Sequence, residues 1–206
     1  MSPGRLHALI DGVFAIAITL LVLDLPRPQS SAHLTHDLLH PWPTYVAYAV
    51  SFAVLGLVWI EHHGMMGAVR AVNRRFLERT LAFLLFVSII PWPTAIAASY
   101  ADQGNQALPA AVLYAGTMMM MGLSFAWGWR YLALHPELVI PAASPALPVG
   151  FRRALIGGLA YVVAIAVAFV NTWASFAIDA AIAVYYAISL SPVPGLLQRA
   201  TRDAAD

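Results

Sequence analysis

The chain has no cysteine and no lysine, and only 10% of its 206 residues are charged. Without a thiol, disulfides, thiolate metal ligation and thiol redox switching are excluded. Soluble domains carry about 25% charged residues. This chain is 61% hydrophobic with a mean hydropathy of +0.74, which makes it an integral protein of the lipid bilayer. A dominant charge sign is also missing. The net charge is +1 and the arginines are scattered, with no basic stripe interleaved with aromatics, so no nucleic-acid partner is expected. There is no G-x-S-x-G elbow, no phosphate-cradling glycine loop and no Ser/His/Asp grouping. Accordingly no catalytic residue, no cofactor and no enzymatic activity are expected. All eleven basic residues are arginine, which points to a GC-rich bacterial genome.

What the chain does have is long apolar runs. Six stretches, about 8–25, 42–63, 80–99, 108–132, 151–170 and 173–192, are each long enough to cross a bilayer. They predict an all-α polytopic membrane protein with six transmembrane helices. The polar connections at 26–40, 64–79, 100–107 and 133–150 are too short to hold an inserted domain, so residues 1–206 read as a single six-helix domain. With the N-terminus in the cytoplasm, ten of the eleven arginines fall inside and only Arg27 falls outside. Both termini are then cytoplasmic and the protein sits in the plasma membrane. Ser30-Ser31-Ala32 would be a tolerable signal-cleavage site. The first apolar run is nevertheless too long for a signal peptide, has Asp11 near its start and is followed by Arg27 between two prolines, so it is read as retained.

Several motifs invite a sharper reading. PWPT occurs at Pro41–Thr44 and Pro91–Thr94, where it serves as boundary punctuation, opening the second span and closing the third. WIEHH closes the second span. Within it Trp59 and His63 share a helical face, whereas the adjacent His62 and His63 point about 100° apart and do not form a metal pair. An unpaired intramembrane carboxylate is costly. Asp11 is therefore expected to be buried against Arg5 or the His62/His63 pair, with Trp59 in the same polar network. His33, His36 and His40 have helical i, i+3, i+7 spacing, compatible with a metal site and equally with a solvated loop face. Asp11 and Asp179 differ in depth by roughly 12 Å at 1.5 Å per residue, far beyond the ~3 Å of an acid dyad. Met118–Met121 reads as adaptable packing. Ala160, Ala164 and Ala168 beside Gly157 read as a close-packing face.

The first span carries the most specific pattern. Ile16, Leu20 and Leu23 lie at i, i+4 and i+7 on one helical face, with Thr19 at its edge, Asp11 roughly opposite and Val22 turned away. Arg5, Asp11 and the run GVFAIAITLLVL from Gly12 to Leu23 resemble the first transmembrane helix of the transmembrane protein 175 family of potassium channels. Leu9 and Ile10 stand where that family has Phe-Ser. The third span, RTLAFLLFVSIIPWPT, is similar too, with Thr80 at a family Asn and Pro91-Trp92 at a Pro-Phe. The family also has a Trp and paired His in its second helix, packing against the Arg and Asp of the first.

The resemblance implies a homotetramer whose four first helices line a central pore for potassium ions. No P-loop or TVGYG filter is implied, and none is in the sequence. Four copies of Ile16, Leu20 and Leu23 would form stacked apolar rings, a constriction that excludes ions by dewetting. Thr19 would contribute to selectivity by replacing part of a hydration shell. The alternative reading is a proton- or cation-coupled transporter with Asp11, His62 and His63 as a relay. Paired Gly/Pro-broken helices in related halves, the usual pointer to a midplane transport site, are lacking.

Overall fold

The computed structural model describes residues 3–27 and 33–188. Within them the chain forms α1 (Pro3–Leu20), α2 (Leu34–Leu39), α3 (Trp42–Gly67), α4 (Arg74–Ile89), α5 (Pro91–Tyr100), α6 (Ala107–Leu134), α7 (Leu147–Ala168) and α8 (Thr172–Ile188). A 3₁₀ turn over Leu21–Asp24 extends α1. Among the described residues the β structure is one isolated bridge, Val69 to Val139, so the architecture is all-α. Five helical stretches among the described residues are long and apolar enough to cross a membrane, and α8 is a shorter apolar helix. At 1.5 Å per residue α8 is about 25 Å long. The expected sixth span, 173–192, runs four residues beyond it, outside the described residues, as do Arg199, Arg202 and Ser30-Ser31-Ala32.

Local sequence explains where the helices begin. Asn73 caps α4 by accepting a 2.9 Å hydrogen bond from the Phe76 N–H. Asn171 does the same for α8 through the Ala174 N–H at 3.0 Å. Prolines occupy the first turns of α3, α5 and α7, where a missing N–H leaves no helical bond unmade. The second PWPT therefore does not close the third span. It opens α5 inside a span that runs from Arg74 to Tyr100 and is broken at Ile90. Proline at Pro91 and Pro93 is the physical reason, since neither can donate back into the preceding turn.

Buried polar contacts tie α3, α5 and α6 together. The Ser51 hydroxyl is 2.9 Å from that of Thr94 and 3.0 Å from that of Tyr114, joining α3, α5 and α6. At the other end, the Ile140 N–H donates to Ala68 C=O at 2.9 Å and the Arg70 N–H to Leu138 C=O at 2.9 Å, clamping two loops. Met118 and Met121 are buried while Met120 is exposed, so the methionine run contributes one face to the core.

α6 and α7 approach each other backbone to backbone. A methyl group added at Gly122 would lie 2.7 Å from Gly158 Cα, and one at Gly158 would lie 2.9 Å from the Leu123 nitrogen. Small residues allow such an approach where lipid supplies no hydrophobic drive between helices. Ala164 and Ala168 are buried on the same helix, but the point of contact is Gly158, and Gly157 instead faces the Tyr186 hydroxyl. Gly122→Ala is expected to destabilise the fold by about 1–3 kcal/mol, read as a lower thermal midpoint in detergent. Gly116→Ala, with open space at its Cβ position, should leave the midpoint near that of the parent.

Candidate functional site: the first helix and its anchor on α3

The side chains of α1 divide into two apolar sets. Leu6, Ile10, Phe14, Ala17 and Leu21 recur at helical spacing and are all buried, facing α3 and α4. Ile16, Leu20 and Leu23 lie on another part of the circumference and are 61%, 39% and 59% exposed. Thr19 is exposed beside them. Its hydroxyl donates back to the carbonyls of Ala15 at 2.9 Å and Ile16 at 3.0 Å. With its proton held in the helix, the oxygen presents lone pairs outward and acts only as an acceptor there.

The 3₁₀ winding after Leu20 changes the spacing of the stripe. Side chains at i and i+3 eclipse in that geometry, so Leu23 stands in line with Leu20. The step from Ile16 to Leu20 is about 6 Å, and that from Leu20 to Leu23 is also about 6 Å at ~2 Å per residue. Val22 is 48% exposed. It is turned away from the stripe without entering the core, because the core position at this level belongs to Leu21.

WIEHH sends its side chains to four neighbouring helices. The Trp59 indole N–H donates to Asp11 Oδ1 on α1 at 3.0 Å. His63, one turn on, stacks with His7 of α1 at 6.1 Å between ring centroids and lies 5.7 Å from the Trp59 ring. Glu61 pairs with Arg153 of α7 at 3.3 Å. His62 is 1% exposed and stacks on Phe83 of α4 at 5.1 Å and on Phe125 of α6 at 5.7 Å.

This arrangement corrects the expected polar network in three respects. Asp11 is exposed on the single chain, and its hydrogen-bond partner is Trp59. Arg5 is exposed and forms no hydrogen bond or ion pair among the described residues. His62 belongs to an aromatic box with Phe14, Phe83 and Phe125, because the roughly 100° between neighbouring residues turns it from the face that Trp59 and His63 share.

His36 and His40 lie 5.0 Å apart on and just after α2, and His36 Nδ1 is 3.6 Å from Asp37. Among the described residues no group of three His, Cys, Asp or Glu side chains is placed to hold a metal. A cavity of about 410 Å³ between α3, α6, α7 and α8 has Glu61, Arg153 and Tyr186 in its lining and does not include α1. The sequence reading missed Ser51, Thr94 and Tyr114, and the Glu61–Arg153 pair. Their signal is only the presence of hydroxyl or charged residues within apolar runs.

Bundle, anchor and exposed first-helix stripe define a polytopic helical membrane protein whose first helix is set apart from the rest. Residues 5–91 match the family described as endosomal/lysosomal potassium channel TMEM175. A relative in Streptomyces collinus, named as a potassium channel, is 38% identical over 207 residues, covering 99% of this chain and 98% of its own. One in Chamaesiphon minutus, also named as a potassium channel, is 34% identical and covers 91% of this chain and 94% of its own. The crystal structure of a lysosomal potassium-selective channel TMEM175 homologue from Chamaesiphon minutus has a TM-score of 0.79. It is 33% identical and covers 90% of this chain and 96% of that one. The chain belongs to the TMEM175 family, a family of ion channels rather than enzymes.

The Trp59–Asp11 bond gives a direct test of the anchor. Trp59→Phe keeps a ring but removes the donor, at a cost of about 1 kcal/mol, the low figure reflecting the exposed acceptor. That corresponds to a fall of about 2–4 °C in the thermal midpoint for a chain of this size, followed by circular dichroism. Asp11→Asn retains an acceptor and should stay close to the parent.

Proposed function

We propose that the protein is a potassium channel, acting as a homotetramer in which the first helix of each of four subunits lines a central pore. The observation that carries this reading is the stripe Ile16, Leu20 and Leu23, left exposed by a helix whose other apolar face is fully packed. One such helix cannot enclose a path. Four copies would set three apolar rings at about 6 Å intervals. A cation entering such rings loses hydration and meets no replacement oxygen, so the passage dewets and closes, while slight widening restores the water column.

Thr19 is the selectivity contribution in this reading. Its outward acceptor oxygen, between the levels of Ile16 and Leu20, can replace part of the hydration shell of K⁺. A single ring of such oxygens discriminates between cations less sharply than stacked carbonyl cages do. The protein needs no cofactor, and its partners are the other subunits, the bilayer and potassium ions. The arginine distribution supports a bacterial plasma-membrane location with both termini in the cytoplasm, and the described helices support operation as one six-helix domain. The transporter reading with Asp11, His62 and His63 as a relay is disfavoured, since His62 packs among phenylalanine rings and Asp11 is engaged by Trp59.

Ile16→Asn tests the proposal. Four amides in a formerly dry ring favour hydration, so planar-bilayer recordings should show a several-fold larger current and a reduced K⁺ over Na⁺ preference, with the tetramer intact by native mass spectrometry. Unchanged conductance and selectivity in an intact tetramer would remove the first helix as the gate. Leu21→Asn, at a buried position, should instead reduce the yield of folded protein.

A further inference from the structure

Asp179 stands on α8 on the same face as Ser175 and Ala183, all three buried. It is 2% exposed, and neither carboxylate oxygen has a hydrogen-bond partner among the described residues. A carboxylate withdrawn from water without a partner is strongly disfavoured, and intramembrane acids are rarely left without a counterpart. This one lines a cavity of about 60 Å³.

The cavity's other walls are aromatic and small apolar side chains. Trp42 of α3 and Trp173 of α8 stack at 5.4 Å with 20° between their planes. Phe176 meets Trp173 edge-on at 6.2 Å, and Tyr114 contributes its ring from α6. No basic side chain is in the lining. The rim is accessible, with Trp42 51% and Val46 47% exposed.

We propose that this cavity is a binding site for a small primary ammonium, its charge on the Asp179 carboxylate and its carbon against the aromatic walls. Aromatic faces attract cations through their quadrupole, most strongly when water is excluded, and aromatic cages are a recurring solution for ammonium ligands. A bare metal cation suits the site poorly. Hard cations require a shell of oxygens, whereas this lining offers one carboxylate and the hydroxyl of Tyr114, itself engaged with Ser51. Size restricts the occupant as well. A single water needs roughly 15 Å³ of such space, so the cavity holds a group of a few heavy atoms and excludes bulky quaternary ammonium ions. The site is built from α3, α5, α6 and α8 and includes no residue of α1, so it is distinct from the proposed pore and its occupancy can be tested independently.

The experiment is a titration of the purified full-length protein in detergent with methylammonium chloride, against potassium chloride at matched ionic strength. Intrinsic tryptophan fluorescence and the thermal midpoint are the two readouts. Trp42 and Trp173 should report a saturable change, with a rise in midpoint, for methylammonium but not for potassium or tetraethylammonium. Asp179→Asn should weaken the apparent affinity at least tenfold. Val46→Phe, which fills the cavity from its exposed rim, should abolish the response and keeps the test decisive if Asp179→Asn does not fold. No saturable response to methylammonium, an equal response to potassium, or undiminished binding in either folded variant would overturn the site. A carboxyl group that simply holds a proton gives the first of these results.

Discussion

The contact on which the arrangement of the first helix depends is made by the last turns of α3. In lipid, apolar surface gives helices little reason to choose one another, so register is set by close packing and polar contacts. WIEHH supplies both within five residues. Trp59 and His63 hold α1 by a hydrogen bond and a ring stack, Glu61 holds α7 through Arg153, and His62 fills a box shared with α4 and α6. A helix turn presents successive residues about 100° apart, which lets one short segment reach neighbours on several sides. Moving that segment by one position would send the ion pair, the indole donor and the buried imidazole to the wrong helices together.

Anchoring on α3 and α4 has a consequence for the rest of α1. Its packed face is a continuous series from Leu6 to Leu21, and Phe14 meets Phe83 at 6.0 Å in the middle of it. With that face fixed, the rotation of the helix is fixed, and so is the direction in which Ile16, Thr19, Leu20 and Leu23 project. Exposure of aliphatic side chains in a membrane protein is not by itself costly, because lipid accepts them as readily as protein does. The role proposed for the stripe rests on its exposure opposite a packed face, read together with its place on a TMEM175-family first helix and the acceptor oxygen that Thr19 turns outward.

The sequence made some of this legible and concealed the rest for physical reasons. The helical class, the spacing of Ile16, Leu20 and Leu23 and the shared face of Trp59 and His63 all follow from periodicity, which a regular helix preserves. The partner of Asp11 does not. Charge complementarity pointed to Arg5 or the histidines, whereas a Trp N–H is a donor without charge, and composition alone gives it no preference for an acid. His62 was concealed by its own polarity, since an imidazole stacked between phenylalanine rings reads in sequence like a ligand or a relay. The second PWPT reads as the close of the third span because proline at a span's end and proline at a break within it, as at Ile90, are written alike. Gly158 as the point of closest approach could not be told from Gly157, because adjacent glycines differ only in which neighbour each one faces.

The short 3₁₀ segment after Leu20 shows how a local change in winding bears on the proposed gate. In a continuous α-helix, residues 20 and 23 sit about 60° apart around the axis, and the rise between them is about 4.5 Å. Tighter winding brings Leu23 into line with Leu20 and lengthens the step to about 6 Å, matching the step from Ile16. In a fourfold assembly this would make the axial spacing of the apolar rings even. Returning Leu21–Asp24 to α-helical winding would turn Leu23 by about 60° relative to Leu20, to within about 20° of Ile16, and would shorten the axial span. The buried Leu21 holds the start of that segment against the bundle, so the turn that carries the exposed Leu23 is itself tied to the packed face.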